Sequence, residues 1–376
     1  MKKFALTFAV MIAISSLFAP AATAAGVLDE GMTDGDCIYS LYSESGEFLT
    51  MRAARMYVDD EYIAGDDRHF QITRVDDEAC VAYAEYLGID KAEAVTGDAA
   101  EAVFAALAAT SAPSGGTKTI CMYSTHSDES YVPNDGTYTK LKNAGIYDVG
   151  DAFKKALEEK GINVTYSQKT FLPHDTGAYS RSRSTAVDLL KKSPDALFDI
   201  HRDAVPASQY DTKVDGTEMS KVRLFVGKRN QNSDANKSFA KTIKATADQK
   251  YPGLVKDIYM GKGNYNQELY PKALLFEFGT HEINKDLVIK STGYMADVVN
   301  TVLYGESAQA SETQKATTKE SSKGSWKGIA WVVGIAIVAA IVFAFFQTGK
   351  FGGTWDKIKH STSELTGGSI GKRNKK

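Results

Sequence analysis

From Thr117 onward, short runs rich in apolar residues alternate with longer stretches whose apolar positions recur every three or four residues. The runs at about 119–124, 162–166, 196–200, 222–226 and 273–276 have the length of strands buried on both faces. The stretches near 147–160, 178–193, 233–250 and 285–304 have helical spacing. Val149, Phe153 and Leu157 share one face of the first, and Gly161 stops it. This alternation predicts an α/β domain over residues 116–305, a mostly parallel sheet flanked by helices. Residues 25–115 read differently. Residues 36–42 alternate loosely, Ser45-Gly46 supplies a turn before Phe48-Leu49, Tyr57-Val58 and Tyr62-Ile63 flank an acidic turn, and 69–75 gives a further strand. An Ala- and Glu-rich stretch at 89–110 has helical spacing, and Ser111 to Gly116 is a flexible boundary. The prediction is a small β-rich N-terminal domain plus a helix.

Two apolar segments fall outside this pattern. Lys2 and Lys3 precede an apolar run from Phe4 to about Ala19, and Ala22-Thr23-Ala24 fits a small-x-small cleavage site, so residues 1–24 read as a secretory signal peptide. Residues 328–346 carry no charge and match a bilayer core of roughly 30 Å as a helix, with Trp326 and Trp331 at an interface. The tail at 347–376 is rich in Lys and Arg, which predicts a single-pass protein of the cell membrane with its body extracellular and its C-terminus cytoplasmic. Residues 306–327, mostly Ser, Thr, Gln, Lys and Glu, read as a flexible polar linker.

Composition narrows the functional classes. A net charge of −3 gives no basic field for nucleic acid, so no nucleic-acid partner is expected. The 17 Phe and 19 Tyr allow a sizeable core. Of three cysteines, Cys37 and Cys80 could pair in an exported protein, while Cys121, inside an apolar strand, reads as a buried free thiol.

The chemistry gathers where apolar runs end. Ile120–Tyr123 leads into His126, Asp128 and Glu129; 196–200 leads into His201; 273–276 leads into Glu277. In open α/β sheets, ligands bind beyond the carboxyl ends of strands. Zinc favours imidazole and carboxylate, and catalytic sites use three protein ligands plus water. His126, Glu129 and His201 form such a set, provided that the loop makes a helical turn to bring His126 and Glu129 together. Glu277, partly buried at a strand end, suits the general acid/base of a hydrolase. Asp199 or Asp203 could accept the imidazole's other N–H, and alternation, which puts Asp199 on the face of His201, favours Asp199. Arg202 could grip a substrate carboxylate. His174, in a loop before a helix, and His281, four residues past Glu277, are candidates for substrate contact, and Asn284 could instead cap the last helix. His69 reads as a surface strand residue, and His360 lies in the tail.

STHSDESY, FDIHRDA and LLFEFGTHEIN, in that order, and RMYVDDEYIAGDDRHFQI upstream resemble the stage II sporulation protein P family. The resemblance implies a zinc-dependent N-acetylmuramoyl-L-alanine amidase of peptidoglycan, with His126, Glu129 and His201 on the metal and Glu277 as acid/base. It also implies work beside a lytic transglycosylase and other wall-remodelling membrane proteins. The C-terminal anchor departs from the family's usual N-terminal tether, so sporulation and vegetative roles both stay open. A cross-link endopeptidase using the same zinc, and a non-catalytic wall-binding scaffold, are the alternatives.

Overall fold

A computed structural model describes residues 37–92, 94, 117–175 and 177–305. The expected signal peptide, most of the 89–110 helix, the linker, the membrane span at 328–346 and the tail lie outside the described residues. Among the described residues no helix is long and apolar enough to cross a membrane.

The N-terminal unit supplies β1 (Tyr39–Ser43), β2 (Phe48–Arg52), β3 (Glu61–Ile63), β4 (Arg68–Asp76) and β5 (Val81–Ile89). Period-two burial along β1 follows from its alternating residues: Tyr39 and Leu41 turn inward between half-exposed neighbours. Cys37 and Cys80 are joined by a disulfide across the starts of β1 and β5, and Cys121 is free and buried. The larger unit supplies β6 (Thr119–Tyr123), β7 (Asn163–Tyr166), β8 (Ala196–Asp203), β9 (Asp211–Val214), β10 (Thr217–Ser220), β11 (Val222–Gly227), β12 (Val255–Gly261) and β13 (Ala273–Thr280). Its four long helices are α1 (Gly145–Glu158), α2 (Ala178–Leu190), α3 (Ser233–Lys250) and α4 (Lys285–Tyr304).

Eleven of these strands form one mixed sheet in the order β2-β1-β5-β4-β3-β12-β11-β13-β8-β6-β7. Within this sheet the larger unit's pairings are parallel except β11 with β13, and β9 and β10 form a separate antiparallel pair. The five N-terminal strands join through antiparallel pairing of β3 with β12, so the sheet runs on past residue 116. The edge strand β2 curls back over the sheet: Thr50 meets Arg223 and Asp257, and Arg52 lies over the rings of Phe225 and Tyr259.

Three elements differ from the sequence pattern. β12 was hidden because Lys256 and Asp257 interrupt its apolar run, yet Asp257 is fully buried and pairs with both Lys256 and Arg223. The β9–β10 hairpin turns at Asp215-Gly216, both left-handed at φ 49° and 78°, and that Asp-Gly pair is a recognisable hairpin signal. β8 and β13 also run further than the apolar residues do, to Asp203 and Thr280, so His201 and Glu277 sit within paired strands rather than beyond them. Gly279, at φ 70°, permits the bulge between Glu277 and Thr280, and a Cβ there would come within 2.8 Å of Ser220 and Val288.

The main core lies between the sheet and helices α1, α3 and α4, with Phe153, Phe198, Phe276 and Phe278 in mutual contact. Asn284 caps α4, its side-chain oxygen accepting from Asp286 N at 2.8 Å.

Candidate metal centre

The loop after β6 makes a single turn closed by Glu129 N–H on the carbonyl of His126 at 3.3 Å, which brings the two side chains together. It is pinned on several sides. Tyr131 Oη donates to the carbonyl of Phe278 at 2.9 Å, Ser127 Oγ accepts from Phe171 N at 2.9 Å, and Ile146 N–H donates to the carbonyl of Glu129 at 3.0 Å. From the neighbouring strand, Arg202 N–H donates to Glu129 Oε2 at 2.9 Å. The carboxylate is thereby oriented with Oε1 toward the histidines, 3.2 Å from His126 Nδ1 and 3.4 Å from His201 Nδ1. One ligand atom from each of the three residues lies within 4.8 Å of the others.

Those spacings fit a metal. Ligands of a tetrahedral zinc at about 2.1 Å stand roughly 3.4 Å apart. Of the buried side-chain atoms that lack a hydrogen-bond partner among the described residues, two are at this site, His201 Nε2 and Glu277 Oε2. His201 Nε2 lies 3.0 Å from Asp199 Oδ1 but out of line for a hydrogen bond. Asp199 is itself held by Thr125, through N–H at 2.8 Å and Oγ1 at 2.6 Å. The carboxylate beside the imidazole is therefore present where the strand alternation put it.

Electrostatics divide the two histidines. Burial, with repulsion from His174 and His201, lowers the pKa of His126 to about 4, leaving a neutral imidazole suited to ligation. Burial works the same way on His201, but the carboxylates of Asp199 and Glu129 outweigh it and hold its pKa well above the ordinary histidine value. Burial would raise Glu129; His201, His126 and Arg202 hold it far below the carboxylate range instead. A proton shared among acids is the charge a cation would replace.

Glu277 stands opposite His201 in the parallel β13–β8 register, and both line one pocket with His126, Glu129 and His174. Burial first, then the charge of Asp203, pushes its pKa up to about 8. The pocket has a volume of about 80 Å³, room for an ion and roughly two waters.

The remaining predicted residues divide. His174 stacks on His126 with centroids 4.0 Å apart and shares a 3.0 Å hydrogen bond with Asp128, so it buttresses a ligand as well as lining the pocket. His281 is not among the lining residues; its Nδ1 lies 3.2 Å from Thr280 Oγ1 and its backbone braces Val132 and Asp203. Arg202 is a correction. Only 2% exposed, its guanidinium is committed to the carbonyls of Ser130 and Tyr138 at 3.2 and 2.8 Å, holding the loop rather than reaching for substrate. His69 pairs with Glu61 at 2.8 Å, away from the centre. Several lining residues escaped the sequence reading, among them three with polar heads at the pocket. Tyr179 of α2, Arg223 of the apolar strand β11 and Arg52 at the end of β2 carry no local signal of a site, and only the folding of β2 over β11 brings Arg52 to the pocket.

An α/β sheet carrying a buried His/Glu/His centre beside a carboxyl of raised pKa is the class this architecture defines. The chain belongs to the stage II sporulation protein P (SpoIIP) family, whose family model matches residues 82–300. It is 30% identical over 224 residues to the stage II sporulation protein P of Bacillus subtilis (strain 168), covering 54% of this chain and 56% of that protein. The chain thus spans little more than half the length of that curated relative. Among solved structures, an N-acetylmuramoyl-L-alanine amidase from Clostridium difficile 630 superposes with a TM-score of 0.33 at 16% identity, over 50% of this chain and 94% of that one. The amidase AmiC2 of Nostoc punctiforme gives 0.32 at 13%, over 50% and 97%. At those scores the likeness carries no weight for the chemistry.

Proposed function

We propose that this chain is a zinc-dependent peptidoglycan hydrolase that cleaves the amide between N-acetylmuramic acid and L-alanine of the stem peptide. One observation carries the reading: His126, Glu129 and His201 converge within 4.8 Å, and Glu277, with its carboxyl raised to about 8, lines the same pocket. His126, Glu129 and His201 would hold the ion. Zinc so held supplies Lewis acidity toward a carbonyl and toward water.

The chain's own groups do the rest. Glu277 accepts the proton of the attacking water and returns it to the departing amide nitrogen, a task that needs a pKa near the working pH. Glu129, held by the Arg202 backbone N–H, keeps its other oxygen aimed at the two imidazoles. Asp199 places its carboxylate charge 3.0 Å from Nε2 of His201. Family membership supports the wall as substrate. The apolar, uncharged segment at 328–346 with its basic tail supports a catalytic domain held outside the cell membrane, within reach of a lytic transglycosylase or other wall-remodelling proteins.

The test is release of soluble fragments from purified sacculi. The reading predicts solubilisation by the protein, loss with chelator, and recovery when zinc is restored. No release after zinc is restored would refute it.

A further inference from the structure

Three arginines line the pocket: Arg52, Arg202 and Arg223. Two are spoken for. Arg202 binds backbone carbonyls, as described above. Arg223, 1% exposed, is neutralised by Asp257 through Nε at 2.7 Å and NH2 at 3.0 Å, and by Asp203 through NH1 at 3.0 Å.

Arg52 is different. It is 9% exposed, yet among the described residues no carboxylate lies within 4.0 Å of its guanidinium. The acid that acts on it from further off is Asp60, whose Oδ2 accepts from Tyr259 Oη at 2.8 Å and Tyr57 N at 3.1 Å and whose buried Oδ1 has no hydrogen-bond partner among the described residues. Its head is held by the Arg55 carbonyl at 2.6 Å and lies over Phe225 and Tyr259, 5.0 and 4.9 Å from their centroids. Tyr265 borders it, and Tyr265 and Asn266 are both left-handed, at φ 54° and 56°. Such backbone strain in non-glycine residues persists where the surroundings enforce it, often at ligand sites. The arrangement is a guanidinium held by a backbone carbonyl and two aromatic rings, acted on by Asp60 only from beyond ion-pair distance, and lining the pocket beside the metal centre. A planar guanidinium in that state matches a carboxylate.

We propose that Arg52 receives a carboxylate of the substrate's stem peptide and so determines which peptides the centre accepts. The proposal rests on the amidase reading for its substrate class. It assigns a role to the N-terminal strands, because Arg52 lies upstream of the family-matched residues 82–300.

The test uses the full-length protein with zinc and synthetic N-acetylmuramoyl stem peptides in which one carboxylate at a time is replaced by a carboxamide. The wild type should show a KM about 10- to 100-fold lower for one carboxylate peptide than for its carboxamide, the range of a charged hydrogen bond. Arg52→Met should erase that preference by raising KM for the carboxylate peptide with kcat little changed, and Arg52→Lys should keep part of it. A wild type without preference, or an Arg52→Met protein impaired equally on both peptides, would overturn the proposal. Should Arg52→Met fail to melt cooperatively, the wild-type comparison and Arg52→Lys decide. Dissociation constants of the same peptides in a Glu277→Ala background separate the two claims. If the zinc-loaded wild type cleaves none of the peptides but the carboxylate preference in binding survives, the amidase reading fails and Arg52 stands; if the binding preference is missing too, both fail.

Discussion

Glu277 of β13 pairs in register with His201 of β8, so the proton-carrying carboxyl and a candidate metal ligand are fixed to one another by the backbone hydrogen bonds of a parallel ladder. Groups built on paired strands keep their separation better than groups on loops. That fixed relationship separates the two kinds of failure that substitutions should produce.

Glu277→Ala should leave zinc content unchanged and lower kcat by about 10²- to 10⁴-fold, the ordinary contribution of a general acid/base. Elemental analysis beside the rate of wall hydrolysis checks this. Zinc lost together with activity would place Glu277 in the ligand set instead.

The pH dependence follows from the same carboxyl. Its base form is the one that accepts a proton, so the rate limb governed by Glu277 should rise with pH toward about 8. In the metal-free protein the sign for stability is the reverse. Between about 4.5 and 8 the folded carboxyl keeps a proton that the unfolded chain has released, so stability falls as pH rises, by at most about 1.4 kcal/mol per pH unit. Denaturant melts of wild type against Glu277→Gln should diverge across that window and stay parallel outside it.

Metal binding should release a proton. His201 is held protonated by Asp199 and Glu129, and a cation taking that place displaces its proton. Calorimetry in buffers of different ionisation enthalpy should report release of about one proton per zinc near neutral pH. His126→Ala and His201→Ala should each lose stoichiometric zinc. Binding with no change in proton count would mean His201 is already neutral.

The Arg223 cluster is a stability element under the pocket. Removing Arg223 leaves Asp257 and Asp203 buried without their cation, so Arg223→Met should cost about 3–5 kcal/mol in chemical denaturation. A change below about 1 kcal/mol would mean that water reaches those acids.

Much of the larger unit was legible because its signals are local. The four long helices carry their own apolar periodicity, Ile120–Tyr123 is a short buried run, and 222–226 is apolar except for Arg223. The His126–Glu129 turn and His201 were legible because polar ligands abruptly follow apolar runs. What stayed hidden depends on pairing across the fold. Lys256 and Asp257 look like solvent-facing residues until Arg223 is placed beside them. Arg202 looked like a substrate-facing cation because nothing nearby in sequence reveals that Ser130 and Tyr138 carbonyls await it. Arg52 reaches the site only through the curl of β2 over β11, which no spacing encodes.

The most direct measurement is mass spectrometry of the fragments released from purified sacculi by the zinc-loaded protein. The account predicts stem peptides with a free L-alanine amino terminus, absent with chelator and absent with Glu277→Ala. Fragments in which the muramoyl–alanine amide is intact and only cross-links are cut would contradict it.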